Sequence, residues 1–174
     1  MQRSKFTSYS NLPLRILVGY GFIEHGFAKL SRGPDTFAGI LQQLGVPLPH
    51  MAAWLTIGTE ILGGLAMLFG FLVSWASIPM AVVLLVAMFS VHLPYGFSSV
   101  KLVSISASGA MFGPVGYELD LLYLAALLMF ALQGPGPLAF DNVLQSRTIR
   151  TGSNEKERFS APSSTDRKTI RENW

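Results

Sequence analysis

Cysteine is absent from the 174 residues. Its absence excludes disulfides, thiol catalysis and Cys-ligated metal or iron–sulfur centres. Charge is scarce as well: 13% of residues are Asp, Glu, Lys or Arg, against about 25% in a soluble domain. The scarcity is uneven. Between Gly33 and Val100 only Asp35 and Glu60 belong to those four types. No water-facing surface can be built from such a stretch. A cytosolic enzyme and a disordered chain are both excluded. Nucleotide and zinc-hydrolase signatures are missing too: there is no Walker A loop, no dinucleotide glycine fingerprint and no H-E-x-x-H pair. The net charge is +3, but the basic residues gather towards the two ends, which fits a membrane protein rather than a nucleic-acid binder.

What remains is apolar sequence: half of all residues are hydrophobic. A bilayer core of about 30 Å needs about 20 helical residues. Four segments come near that length, over residues 12–30, 52–72, 75–93 and 117–132. The fourth is short and is expected to recruit residues before Tyr117. The first carries a basic flank, as a secretory signal does, but Glu24 and His25 interrupt it and no small-residue cleavage site follows. It is read as a retained span. The expected fold is therefore an all-α bundle of four transmembrane helices. Residues 1–11 form an N-terminal segment, 12–144 the membrane domain and 145–174 a polar tail, expected to be disordered. Ten of the 13 Lys and Arg residues then fall on one side: Arg3, Lys5, Arg15 and the seven from Arg147 to Arg171. Positive charge marks the cytoplasmic face, so both termini are expected there, in a bacterial cytoplasmic membrane.

The connections fit. Residues 70–74 form an uncharged hairpin, which makes spans two and three antiparallel neighbours. Trp54 and Trp75 fall where span ends meet the interface. The first outer loop opens with Gly33-Pro34-Asp35 and then places Phe37, Ile40, Leu41 and Leu44 at helical spacing. A short helix on the membrane surface is expected there. The second outer loop, 94–116, mixes Gly, Ser and apolar residues and is expected to fold back into the bundle. Gly134-Pro135-Gly136-Pro137 ends span four.

Ionisable groups inside membrane helices call for a partner or a purpose. Glu24, His25 and Lys29 on span one, Glu60 on span two, His92 at the end of span three and Glu118 at the start of span four lie at similar depth towards the outer side. Gly21, His25 and Lys29 form an i, i+4, i+8 stripe, and Glu60 shares a face with Gly64. On one reading, Glu60 pairs with His25 or Lys29 and fixes the packing. On another, the groups line a polar pocket for a quinone-like ligand or for protons, with Phe22, Phe89 and Tyr95 as apolar walls. A metal site lacks H-x₃-H or E-x-x-H spacing. A haem between His25 and His92 has no further signal. His50 is read as a surface residue.

Several pieces, in order, carry a resemblance. They are His25-Gly26-Phe27-Ala28-Lys29-Leu30, Leu44-Gly45-Val46-Pro47 and Glu60-Ile61-Leu62-Gly63-Gly64, with Gly70 after them. His92-Leu93-Pro94, Gly96-Phe97 and Gly116-Tyr117-Glu118 follow, then Gly134-Pro135-Gly136 and Asp141. Together they resemble the DoxX family of small four-helix membrane proteins. The resemblance implies a subunit or accessory of a quinone-linked membrane redox or oxidative-stress system. With no Cys and no cofactor fingerprint, no intrinsic cofactor is expected; quinone is the expected ligand, and redox-complex subunits or a second copy are the expected partners. The resemblance gives no catalytic role to His25, Lys29, Glu60, His92 or Glu118. The charged tail after Asp141 departs from the pattern and leaves room for a partner-binding addition. The alternative is a non-catalytic assembly or stress factor, or a small-molecule transporter. Inverted repeats, the mark of many transporters, are not seen.

Overall fold

A computed structural model describes residues 11–134 together with Gly136, Ala139 and Phe140. Most of the expected N-terminal segment, the whole 145–174 tail, Pro135, Pro137 and Asp141 lie outside the described residues. By contacts within the chain the molecule divides after Ala139; of the second unit only Phe140 is described.

Five α-helices dominate: α1 (Asn11–Arg32), α2 (Pro34–Gln43), α3 (Pro49–Phe69), α4 (Val73–Ala87) and α5 (Glu118–Gln133). Pro34 and Pro49 each open a helix, where the missing N–H of proline is lost at no cost. Helix α4 does not stop at Ala87. It continues through a π-turn, Met88–His92, and a 3-10 turn, Leu93–Tyr95. Two of these elements are long and apolar enough to cross a membrane: Pro49–Phe69 and Val73–Tyr95, with mean hydropathy 1.5 and 2.1. Helix α1 has the length but carries more charge. Helix α5, with 16 residues, spans only about 24 Å.

Helix α2 is the expected short helix of the first loop. Ala38 and Leu41 bury against Ala53 of α3, with Phe37 packed beside them. Gly45, at φ 75°, ends the turn after it. The second loop differs from expectation. Leu102–Ser106 and Gly109–Phe112 pair as an antiparallel β-hairpin, and every one of its strand residues is exposed. The loop neither folds back into the bundle nor lengthens α5, and the all-α expectation fails here. The reason is local. Val103 and Ile105 are β-branched, Gly109 turns the chain at φ 121°, and backbone bonds close the base: Tyr117 N–H to Gly96 O, Glu118 N–H to Phe97 O and Gly116 N–H to Ser98 O. A closed base leaves no chain free to reach the core.

The tightest contact joins α1 and α3, which run antiparallel. It is made by glycine. A Cβ on Gly19 would lie 2.8 Å from Gly64 O, and one on Gly64 would lie 2.6 Å from Gly19 O. Gly26 meets Ile61 and the Cβ of Glu60 in the same way. Small residues let helix backbones approach where lipid supplies no hydrophobic drive between helices. Gly63 performs this service for Met80 of α4. Gly70, at φ 68°, caps α3 in the left-handed conformation, which glycine adopts without penalty. The order around the bundle is α1, α3, α4, α5. Val18, Phe22, Met67, Val73, Met80, Ala126, Leu127 and Phe130 form the core between them.

Gly64→Ala and Gly58→Ala separate packing from propensity. A methyl at Gly64 collides with backbone, whereas nothing lies within 4 Å at Gly58. Thermal unfolding in detergent should show Gly64→Ala less stable by about 1–3 kcal/mol, and Gly58→Ala unchanged or more stable by up to about 1 kcal/mol. Equal behaviour of the two would remove the glycine contact as the basis of packing.

Candidate functional site

Side chains lean towards the N-terminus of their own helix. In antiparallel α1 and α3, Lys29 therefore leans down as Glu60 leans up. They meet. Lys29 Nζ lies 2.6 Å from Glu60 Oε1 and 2.7 Å from Oε2. The Glu60 side chain is 7% exposed and that of Lys29 25%. The Lys29 ammonium also lies 5.4 Å from the ring centre of Phe37, so α2 covers the pair with a cation–π contact. Of the two partners open to Glu60, the fold selects Lys29. His25 is exposed. Glu24 is exposed too, one turn above Tyr20 on α1. The expected i, i+4, i+8 stripe splits. Lys29 faces α3, His25 is exposed, and Gly21 lies directly under the hydroxyl of Tyr123 on α5.

A second polar group joins α4 to α5. His92 Nδ1 and Asp120 Oδ2 are 2.6 Å apart, with the Asp120 side chain 7% exposed. The π-turn ends at His92. A wide turn shifts every later side chain around the helix, and such turns gather at functional positions. Glu118 accepts the backbone N–H of Ser99 at 3.0 Å, and so holds the loop base rather than lining a pocket. Asp120 was missed in the sequence, where Glu118 drew the attention. The available signal was a further carboxylate in the apolar run Glu118–Gln133 and an unassigned His92 to match it.

The six candidates thus fall into two groups, one on α1 and α3 and one on α4 and α5. Among the described residues no hydrogen bond or ion pair joins them. Among the described residues the structure does not bring all six candidates together, and the three expected apolar walls lie apart from one another. Phe22 is in the core, edge-on to Tyr123 with ring centres 5.8 Å apart, while Phe89 and Tyr95 are exposed. Among the described residues no cluster of three His, Asp or Glu is disposed to hold a metal. His50 is exposed, as expected, and lies 3.3 Å from Asp35.

A cavity exists elsewhere. A groove of about 490 Å³ runs between α1 and α5, with Leu14, Leu17 and Val18 on one wall and Leu122, Tyr123 and Ala126 on the other. It follows from the packing order, because α1 and α5 are the most loosely joined neighbours. Its lining is almost wholly apolar. At the opposite end from the polar groups, Arg15 is buried, 2% exposed, with its guanidinium against Gly70. It sits at the negative end of the α3 dipole. The sequence placed it at the membrane boundary as a topology signal, and its burial was not foreseen.

Residues 10–93 match the family described as DoxX. One relative from Haemophilus influenzae is 31% identical over 140 residues, 79% of this chain and 92% of the relative. A second from the same organism is 26% identical over 140 residues, 78% of this chain and 83% of the relative. Both are described only as uncharacterized proteins. No solved structure matches.

Lys29→Met strands a buried carboxylate and should cost about 3–5 kcal/mol, with Glu60→Leu in the same chain recovering most of it. Unfolding of the single and double variants in detergent measures the coupling. Additive losses would show that the pair carries no packing role.

Proposed function

The chain belongs to the DoxX family of membrane proteins, and from that premise we propose that it is a four-span subunit or accessory of a quinone-linked redox or oxidative-stress system in a bacterial cytoplasmic membrane. Both termini are cytoplasmic on this reading. With no cysteine and no cofactor fingerprint in the sequence, the electron carrier belongs to a partner. Support for the membrane placement comes from the outer surface. Leu55, Leu62, Phe69, Ile78, Val82, Val86 and Phe89 are all exposed on α3, α4 and the π-turn, an apolar belt far beyond a soluble monomer's patch. Trp54 and Trp75, 57% and 73% exposed, flank it at opposite ends.

The observation that carries the ligand is the groove between α1 and α5. Its volume falls within the range of about 300–1,000 Å³ typical of small-molecule sites. Its apolar walls suit the chain or ring of a lipid-soluble molecule. On this reading the ligand lies away from the polar residues of the expected pocket. A second reading, a non-catalytic assembly or stress factor, is favoured by the pairing of both buried carboxylates, Glu60 and Asp120, within the chain. Purification in mild detergent with mass spectrometry of bound molecules and proteins separates the two. The redox reading expects a quinone and oxidoreductase subunits to co-purify, with the quinone lost when Leu122→Trp fills the groove. Phospholipid alone, with no oxidoreductase subunit, would favour the second reading.

Orientation is tested in the cysteine-free background. An impermeant thiol reagent on intact cells should label Asp35→Cys and Ser108→Cys but not Phe71→Cys. The opposite pattern would invert the topology.

A further inference from the structure

Helix α1 buries one face on α3 and turns another outward. Among the exposed residues of α1, Pro13, Leu17, Tyr20, Glu24, Phe27 and Ser31 form one stripe, with Ile16, His25 and Leu30 exposed beside it. Their spacing alternates four and three, the heptad seam of a helix with a second helix packed along it. Leu17, Tyr20 and Phe27 are 63%, 56% and 62% exposed, and Glu24 sits in the middle of the stripe. On the four-span reading, α1 crosses the bilayer. Glu24 is then about 12 Å from the end of α1 at Arg32, and about 7.5 Å further in than Lys29. It is a carboxylate facing acyl chains, deeper along α1 than the residue that engages Glu60. Membrane ionisable groups almost always face protein or water.

We propose that this stripe docks a transmembrane helix of another polypeptide, one carrying a lysine or arginine opposite Glu24. Charge decides the occupant. A second copy of this chain, inserted in the same orientation, would pack its α1 parallel to the first. Each layer of a parallel seam meets itself, so Glu24 would face Glu24 and repel it. A wholly apolar helix would leave the carboxylate without a counter-charge. A basic side chain at that depth satisfies it, and Leu17 and Phe27 supply apolar layers on either side. The proposal rests on the four-span reading and names the partner chemistry for it.

The test uses the full chain in phosphatidylcholine vesicles, with a donor dye on Ser108→Cys. The probe is an acceptor-labelled leucine-rich transmembrane peptide with one central lysine, compared with the same peptide without it. Energy transfer should show the lysine peptide binding about tenfold more tightly than its all-leucine counterpart. The preference should vanish in Glu24→Gln and Glu24→Leu and persist in Glu118→Gln. Glu24→Leu places an apolar residue at an exposed site, and helical circular dichroism checks its fold. Equal binding of both peptides, or a preference that survives Glu24→Leu, would overturn the proposal. So would self-association of the unsubstituted chain that Glu24→Leu abolishes, since it would give the face to a second copy. Thiol labelling of Asp35→Cys compared with Asn11→Cys in intact cells reports separately whether α1 crosses, since only a crossing helix puts its two ends on opposite sides. If it does not, the four-span reading fails and takes the docking face with it; if it does, a missing lysine preference sinks the docking face alone.

Discussion

The bond between Lys29 and Glu60 is the constraint on which this bundle turns. Glu60 is the one carboxylate of α3, and it is buried. It tolerates burial only because an ammonium contacts both of its oxygens. That contact requires α1 to lie close to α3, and closeness requires glycine at positions 19, 26 and 64. The two requirements reinforce one another. The glycines bring the helices within reach, and the ion pair fixes their register, since a slip of one residue rotates Glu60 by about 100° away from Lys29. Helix α2 is then placed by the same pair, through Phe37 over the ammonium. A buried ion pair is weak evidence for stability, but it is a good device for specifying one arrangement over its neighbours.

Around that fixed half the other helices pack with less restraint. Helices α4 and α5 are joined to each other by His92 and Asp120 at one end and by the Ser74 hydroxyl on Phe130 O at the other. Between α5 and α1 there is little beyond Gly21, Phe22 and Tyr123. The groove opens where the ring of helices closes least well. A site that admits a lipid-soluble molecule gains from such a seam, because entry from the bilayer requires only the separation of loosely packed neighbours. Of the polar groups that first suggest chemistry, Lys29, Glu60 and His92 join helices and Glu118 holds the loop base. Function, on this view, belongs to the apolar seam and the outer face of α1.

Much of the fold was legible in the sequence because it depends on local composition. Apolar length gave four helices near residues 12–30, 52–72, 75–93 and 117–132, and the structure places them at Asn11–Arg32, Pro49–Phe69, Val73–Tyr95 and Glu118–Gln133. Helical spacing in the first loop gave α2. Glu60 directed towards span one was legible for the same reason, since Glu60 and Gly64 share a helical face. The hairpin at Leu102–Phe112 was not. Its apolar residues fit a strand or a helix equally well in so short a run, and only the backbone bonds at its base decide between them.

The sequence by itself determined which residues are helical, that the chain suits a membrane, and that Glu60 requires a partner. It could not choose between His25 and Lys29, because both lie within a turn of one another on α1. Crossing geometry alone puts Lys29 over Glu60 and leaves His25 exposed. It could not couple His92 to Asp120 either, since that pairing depends on a π-turn and on how α4 meets α5. The single expected pocket became two separate ion pairs and an apolar groove for one physical reason. Depth along each helix can be read from residue number, but which sides of different helices face one another is set by packing across the bundle.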